Sequence, residues 1–502
     1  MLKMFGGGGP DHPMANPKEA KRILDALPAQ ELKALEDLSH WLESASTAEG
    51  FKPADRAQVL ATIDEAAQAR LRKLSRDYFA AKRPSRYQEN LMWTQLHEYW
   101  RQSGLAWARA LDAMLQAAKG VDPKLLPLLA VRTLRALATQ LKWQHMRYGP
   151  IDGAVWGVLN KTYLVAEERG FADGKVALGV GGETTPRLEF LRVAMFSASS
   201  PDGLLPLEVE LAERLVVDLS NGFAFAKEAA RELLFWTDLA KPMAPQRAIK
   251  KMPETPGLRC FGPGKAVETL QGYITRTLQG RAVPSGINLG GTFDFEVVVE
   301  VMQHLALHWD MEPPERRHAR HPVKSRLTIN HGFQGALESL GASGSLDFDA
   351  GKSGAESWIV ENVSAGGFGA VVPQAAKGDW LRVGTLLAMQ PDGGANWVVG
   401  IVRRVNRVSK DEARVGIETV SRAPQVASFT LGSLGQHTGL LLPAAVLGSG
   451  EVSIALPASI YARGTNLEAN IDGKDHVYMP VGGADKGEDY EMLRFREMVR
   501  EA

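Results

Sequence analysis

The chain has 502 residues, with 58 Lys and Arg balancing 58 Asp and Glu and 45% hydrophobic residues. At roughly 100–200 residues per domain, that length calls for three or four units, and the balanced charge excludes a globally basic or a solvated acidic chain. The opening Met1 to Pro10 holds a glycine tract and no leader-like apolar stretch, and no run of about 18 uncharged apolar residues follows, so the sequence predicts a cytoplasmic protein with no membrane segment.

After a flexible N-terminus at 1–15, Asn16-Pro17-Lys18-Glu19 reads as a helix start: Asn as cap, Pro at the first helical position, Glu completing a capping box. Leu24 and Leu27, then Leu32, Leu35, Leu38, Trp41 and Leu42, recur at three- and four-residue steps, which gathers them on one helical face. Similar patterns at 54–80, 85–118 and 123–146 predict a helical domain over 16–148. Trp93, Trp100 and Trp107 are spaced by seven and form one stripe, read as core or, failing that, as a partner-helix surface.

Glycine becomes frequent between Gly149 and Thr185, which predicts a boundary. Helix patterns return at 186–198, 206–221 and 225–237, with Pro206 and Glu208 marking one start, and Phe293 to Trp309 reads as the last apolar helix before Pro313-Pro314. A second, mainly helical domain is therefore expected over 186–312. The one cysteine, Cys260, suits a buried small apolar position.

From Pro322 the period changes to two. Val323, Ser325, Leu327 and Ile329 alternate with Lys324, Arg326 and Thr328, and β-branched or apolar runs follow at 358–363, 368–372, 383–389, 396–405 and 414–420. Turn residues separate them at the spacing of a small antiparallel barrel over 313–424. Four more candidates around 438–443, 451–456, 466–471 and 475–480 predict a further small β unit over 425–502. The expected fold class is multidomain α plus β.

Two segments carry chemistry. Residues 315–326 place Arg316, Arg317, Arg320, Lys324 and Arg326 close together with two histidines, and the planar donor fork of arginine engages phosphate oxygens bidentately. In Trp358-Ile-Val-Glu-Asn-Val-Ser-Ala-Gly-Gly-Phe-Gly-Ala, a strand delivers Asn362 and Ser364, then Gly366 and Gly367 permit a tight turn and close ligand approach. An amide and a hydroxyl there can bond nucleobase edges and phosphate.

Together they resemble the PilZ family, in which Arg-x-x-x-Arg precedes the first strand and Asp/Asn-x-Ser-x-x-Gly follows the second. Arg316 to Arg320 and Asn362-Val-Ser364-Ala-Gly-Gly367 match in order, and Val399-Gly-Ile-Val-Arg-Arg-Val and Val415-Gly-Ile-Glu-Thr-Val look like closing strands. The resemblance covers roughly 110 residues. It implies a six-stranded antiparallel barrel that binds cyclic di-GMP through Arg316, Arg317, Arg320, Asn362, Ser364, Gly366 and Gly367. The arginines would hold phosphates and stack near guanine, while Asn362 and Ser364 would contact guanine or phosphate. Two positions depart from the pattern: Ala370 stands where a further glycine is common, and Gly332 to Gly354, with six glycines, inserts what reads as a mobile, net-acidic loop.

Other signals carry no chemistry. Gly351-Lys352-Ser353 has Leu346 where the first glycine of a phosphate loop belongs, His304 and His308 lack the glutamate of a zinc-protease motif, and Gly179-Val-Gly-Gly182 opens no helix. No metal and no enzymatic activity are expected. The function implied is a signalling receptor, coupling cyclic di-GMP on the barrel to an unidentified protein partner through the helical scaffold. The alternatives are a degenerate PilZ-like interaction module without nucleotide, and a nonspecific nucleic-acid binder using the basic segment 316–326.

Overall fold

Helix α1 (Pro17–Leu24) starts at Asn16, whose side-chain oxygen accepts from the amides of Lys18 and Glu19 at 3.1 Å. Glu19 turns its carboxylate to Arg22 at 3.1 Å in place of the expected reciprocal cap. The computed structural model describes residues 10–80, 85–117, 122–178, 182–250, 252–312, 318–341, 355–373, 380–394, 396–409, 411–443, 451–462 and 464–499. They divide into one unit from Met1–Arg147, Ile151–Pro201 and Pro206–Pro314, and another from Glu315–Ala502 with Tyr148–Pro150 and Asp202–Leu205.

In the first unit α2 (Glu31–Thr47), α3 (Pro53–Tyr78), α4 (Arg86–Gln116) and α5 (Leu125–His145) follow the predicted spans closely. A reciprocal capping box does occur, at Ser85 and Gln88 before α4. Of the tryptophan stripe only Trp107 is fully buried; Trp93 and Trp100 are half-buried. The indole Nε1 of Trp93 donates to the Trp143 carbonyl at 2.7 Å, and its ring stacks on His97 with centroids 4.9 Å apart.

Helix α6 (Gly153–Glu168) lies where glycine frequency suggests a boundary. Asp152 caps it through the Ala154 amide at 2.8 Å, and its glycines sit in packed places: a Cβ on Gly153 would stand 3.4 Å from the Pro242 carbonyl oxygen and one on Gly157 3.3 Å from the Pro242 side chain. A short hairpin, β1 (Val176–Ala177) and β2 (Glu183–Thr184), leads to α7 (Pro186–Ala198) and α8 (Pro206–Leu219). The helix expected at 225–237 is absent. That stretch holds β3 (Ala224–Ala226) and β4 (Phe235–Asp238), which join β5 (Gln246–Arg247) and β6 (Leu258–Gly262) in an antiparallel sheet of order β3-β6-β4-β5. All four β4 residues are buried, and a continuous apolar run of that kind carries no period to separate strand from helix. Cys260 on β6 is buried, as expected. Helices α9 (Ala266–Gly280) and α10 (Phe295–His308) complete the unit.

Three cations of α5 each meet an acid on a different helix: Arg132 with Asp64 of α3 at 2.8 Å, Arg135 with Glu189 of α7 at 2.6 Å, and Lys142 with Glu210 of α8 at 2.8 Å. Burial pulls the Lys142 ammonium down, but Glu210 and Glu213 outweigh it and hold it above its ordinary value. Pairs like these add little net stability, yet at the most buried of them, Lys142 with Glu210, removing one partner strands a buried charge, at a cost of about 3–5 kcal/mol. They therefore fix how the helices seat around α5.

The second unit holds two barrels. In the first, β7 (His321–His331), β8 (Glu356–Ser364), β9 (Gly367–Pro373), β10 (Leu386–Pro391), β11 (Val398–Arg407) and β12 (Glu412–Ser421) close in the order β7-β8-β9-β12-β11-β10. Alternation on β7 is as read: Leu327 and Ile329 are buried, while Lys324, Arg326 and Thr328 face out. Trp358, Val360, Met389, Val402, Val415 and Ile417 fill the core, joined by Tyr148, whose hydroxyl accepts from the Val383 amide at 3.2 Å.

The predicted small β unit is also a closed six-stranded barrel. Its strands are β13 (Gln425–Thr430), β14 (Gln436–Leu442), β15 (Glu451–Pro457), β16 (Leu467–Ile471), β17 (Lys474–Lys486) and β18 (Tyr490–Val499), in the order β13-β14-β15-β18-β17-β16. Counted from its own first strand, each barrel closes in the order first, second, third, sixth, fifth, fourth, so the second repeats the topology of the first. The sequence reading misses β13 and β18. On β13 only Phe429 is fully buried, and β18 is dense in charge, so neither shows an apolar period.

The expected mobile loop at 332–354 begins instead with a helix, α11 (Gly332–Gly341); residues 342–354 lie outside the described residues. Gly332, at φ +80°, turns the chain out of β7, and the Asp489 carboxylate accepts from the Phe333 amide at 2.6 Å. Phe333 and Ala336 pack between the barrels with Leu386, Ala388, Val399 and Ile401 of the first and Leu440, Leu442, Tyr490 and Met492 of the second. A glycine count misses this because the apolar residues at 333, 336, 337 and 340 recur at helical steps. Arg403 of β11 also ties the barrels, gripping both carboxylate oxygens of Asp485 at 2.8 and 2.9 Å and Glu418 at 2.7 Å.

Two outcomes test this account. Phe333→Ala should destabilise the second unit by about 3 kcal/mol or more, as core Phe truncations do, and lower its melting temperature; an unchanged transition would mean α11 is not part of the core. In the first unit, burial pulls the His97 imidazole down to about 4, and its Nε2 has no hydrogen-bond partner among the described residues. The unfolded chain, titrating near 6.5, binds the proton first. The His97 contribution is thus full above pH about 6.5 and is lost as pH falls toward 4, by up to about 1.4 kcal/mol per pH unit. His97→Gln should flatten the fall in melting temperature between pH 6.5 and 4.5; equal slopes for both proteins would contradict the assignment.

Candidate ligand site

The site is built at one end of the first barrel, where β8 turns into β9. Trp358 and Val360 point into the core, so strict alternation would send Asn362 inward as well. A bulge between Val360 and Asn362 adds one residue, Glu361, and re-aims the strand. Asn362 then pairs with Gly369, which lies between the core-facing Phe368 and Ala370 and so faces out, and Ser364 pairs with Gly367 on the same outer face. A matching bulge on β7 between Pro322 and Ser325 keeps Pro322 opposite Asn362.

Glycine is required here because backbones and side chains crowd. A Cβ on Gly367 would stand 1.9 Å from the Ile417 carbonyl oxygen, and one on Gly369 would stand 2.6 Å from the Asn362 amide, which lies across it. The Ser364 hydroxyl donates to the Gly367 carbonyl at 3.3 Å, and the Gly366 carbonyl accepts from the Thr419 amide at 2.9 Å. Two buried polar atoms beside this turn, Asn362 Oδ1 and Thr419 Oγ1, have no hydrogen-bond partner among the described residues.

The residues that lead into β7, from His318 on, meet this turn. Arg316 and Arg317 lie outside the described residues, but His318 does not, and a Cβ on Gly366 would stand 2.7 Å from its ring. The segment before β7 thus lies against the Ala365-Gly366 turn. Arg320 follows two residues on, exposed and free of ion pairs among the described residues, immediately before His321, which pairs with Val363. Arg320, Asn362, Ser364, Gly366 and Gly367 therefore belong to one end of the barrel, where the chain leading into β7 runs beside a polar turn of small residues.

Sequence reasoning missed one cation there. Arg422, just past β12, donates from Nη2 to the Ala365 carbonyl at 3.0 Å. Nothing local marks it, since it is 57 residues from its acceptor. The segments set aside earlier stay outside the site. His304 bonds the Ser199 carbonyl at 2.7 Å and packs on His308 within the first unit. Residues 351–353 and 179–181 lie outside the described residues. Among the described residues no cluster of three or more His, Cys, Asp or Glu could hold a metal, and no helix is long and apolar enough to cross a membrane.

Comparison with known families gives a second signal, earlier in the sequence than the barrel strands. Residues 18–229 match the family described as the N-terminal domain of the cyclic-di-GMP receptor FimW. The match runs from α1 to just beyond β3, wholly within the helical first part of the chain, and does not extend to the barrels. No curated protein matches the chain.

Gly366→Ala puts a methyl group where the His318 ring lies, while the fold elsewhere keeps its contacts. Ligand affinity should drop by about tenfold or more with the melting temperature nearly unchanged, because the leading segment is displaced from the turn. Unaltered binding would show that this packing does not shape the site.

Proposed function

We propose that the protein is a cyclic di-GMP receptor whose ligand sits on the outer face of the first barrel, between the segment before β7 and the Asn362–Gly367 turn. The observation that carries this is the packing of His318 on Gly366, which brings together two motifs that are distant in sequence. The family match at 18–229 supports the same ligand from an independent part of the chain.

Cyclic di-GMP presents two anionic phosphates and two planar purines, so its receptor needs guanidinium forks, flat cationic surfaces and a few short polar groups. In this reading Arg316, Arg317 and Arg320 hold phosphates and stack on guanine. Asn362 and Ser364 contact guanine or phosphate, and the orphan Asn362 Oδ1 gains a donor from the ligand. Gly366 and Gly367 keep the floor low. The barrel belongs to the PilZ type, the role is non-enzymatic, and the protein acts in the cytoplasm. Ligand that binds one arrangement of the barrel and its neighbours better than another shifts the population toward it, and a protein partner reads that change.

Calorimetric titration with cyclic di-GMP is the test. Saturable, ligand-specific binding is expected; no binding would sink the proposal in favour of a pure interaction module. Displacement by any polyanion, with a steep salt dependence, would point to a nucleic-acid binder. Arg316→Ala and Arg320→Ala should each weaken binding by about one to two decades, since each removes charge-assisted hydrogen bonds worth roughly 1.5–3 kcal/mol. Ser364→Ala, which removes a neutral contact, should cost less than either. A larger loss for Ser364→Ala without unfolding would contradict the assigned roles.

A further inference from the structure

The segment Arg422 to Pro424 links the last strand of the first barrel to the first strand of the second. By topology it precedes β13 as residues 318–320 precede β7. Both leading segments reach the same turn: His318 packs on Gly366, and Arg422 donates to the carbonyl of Ala365, between Ser364 and Gly366.

The link is held on both sides of Arg422. The Ser421 hydroxyl donates to the Pro443 carbonyl at 2.9 Å and accepts from the Ala423 amide at 3.3 Å, and Thr419 binds the Gly366 carbonyl. Arg422 itself is exposed and has no ion pair among the described residues. A guanidinium carries five N–H donors, and the bond to Ala365 uses one. Glu418 is the acid nearest the turn by register, opposite Gly367, and Arg403 takes its carboxylate at 2.7 Å. A cation without a counter-ion thus stands beside the polar turn, in a place fixed by its own backbone.

We infer that Arg422 is a ligand-contacting residue of this site, a further cationic arm beside the Ala365-Gly366 turn that takes a phosphate of the cyclic dinucleotide. This rests on the function proposed above. The bond to Ala365 aims the guanidinium, and its remaining donors face the anion. The ligand is then gripped from both leading segments, one for each barrel.

The experiment compares full-length wild type with Arg422→Ala, Arg422→Gln, Arg422→Lys and a distant control, Arg496→Ala on β18, by calorimetry with cyclic di-GMP and by thermal melting. Glutamine retains a donor for the Ala365 carbonyl without the charge; lysine retains the charge without the fork. The expected result is about a tenfold loss for both Ala and Gln, a smaller loss for Lys, and wild-type binding for the control, all at similar melting temperatures. Arg422→Ala within twofold of wild type would overturn the inference. So would Arg422→Gln binding like wild type, since the arginine would then serve only to hold the turn. A wild-type protein that gives no heat with the dinucleotide would remove the site itself, and this role with it.

Discussion

The candidate site depends on a close approach that only glycine permits. Three glycines within four residues let the β8–β9 turn lie against β12 and beneath the Asn362 amide and the His318 ring. Side chains at these positions would push apart the pieces that make the site: the leading segment from the turn at Gly366, β9 from β12 at Gly367, and the amide from its shelf at Gly369. The polar atoms matter only because the backbone beneath them is bare. On the β9 side of the bulge at Glu361, Asn362 and Ser364 face glycines, which leaves room for the distorted strand.

A comparable economy governs the helical unit, with charge in place of space. Helix α5 is buried along most of its length and still carries Arg132, Arg135 and Lys142. Each finds an acid on a different neighbour, which offsets the cost of taking such a charge out of water. The Glu189 carboxyl shows the balance: burial pushes it up, and its bonds to Arg135 outweigh that and hold it below the usual range.

Most helices could be read from the sequence because amphipathic helices on a unit's surface repeat at three and four residues; the spans of α2 to α5 follow from Leu35, Leu38 and Leu42 and their like. Where an element is buried on both faces, as β4 is, the period vanishes, and a helix was the wrong reading of 225–237. The glycines of 332–341 misled for a different reason: composition registers their number, while the buried face of α11 depends on the spacing of Phe333 and Ala336. At the site, Asn362, Ser364 and Gly367 were legible because six consecutive residues make the turn. The bulge that turns Asn362 outward and the reach of Arg422 to Ala365 depend on partners in β7, β9 and the inter-barrel link, and no local pattern announces either.

The shared core between the barrels has a bearing on how the protein can be divided. Strand β10 buries Leu387 and Met389 in its own barrel and Leu386 and Ala388 against the neighbouring one, so it has no wet face. A fragment ending near residue 424 would keep every strand of the first barrel and the whole polar turn, yet would expose Phe333, Leu386, Val399 and Ile401 together. Such a patch draws molecules into aggregates. The first barrel, though topologically complete, is thus half of a solubility unit, and the boundary that isolates a soluble piece falls after β18, not between the barrels.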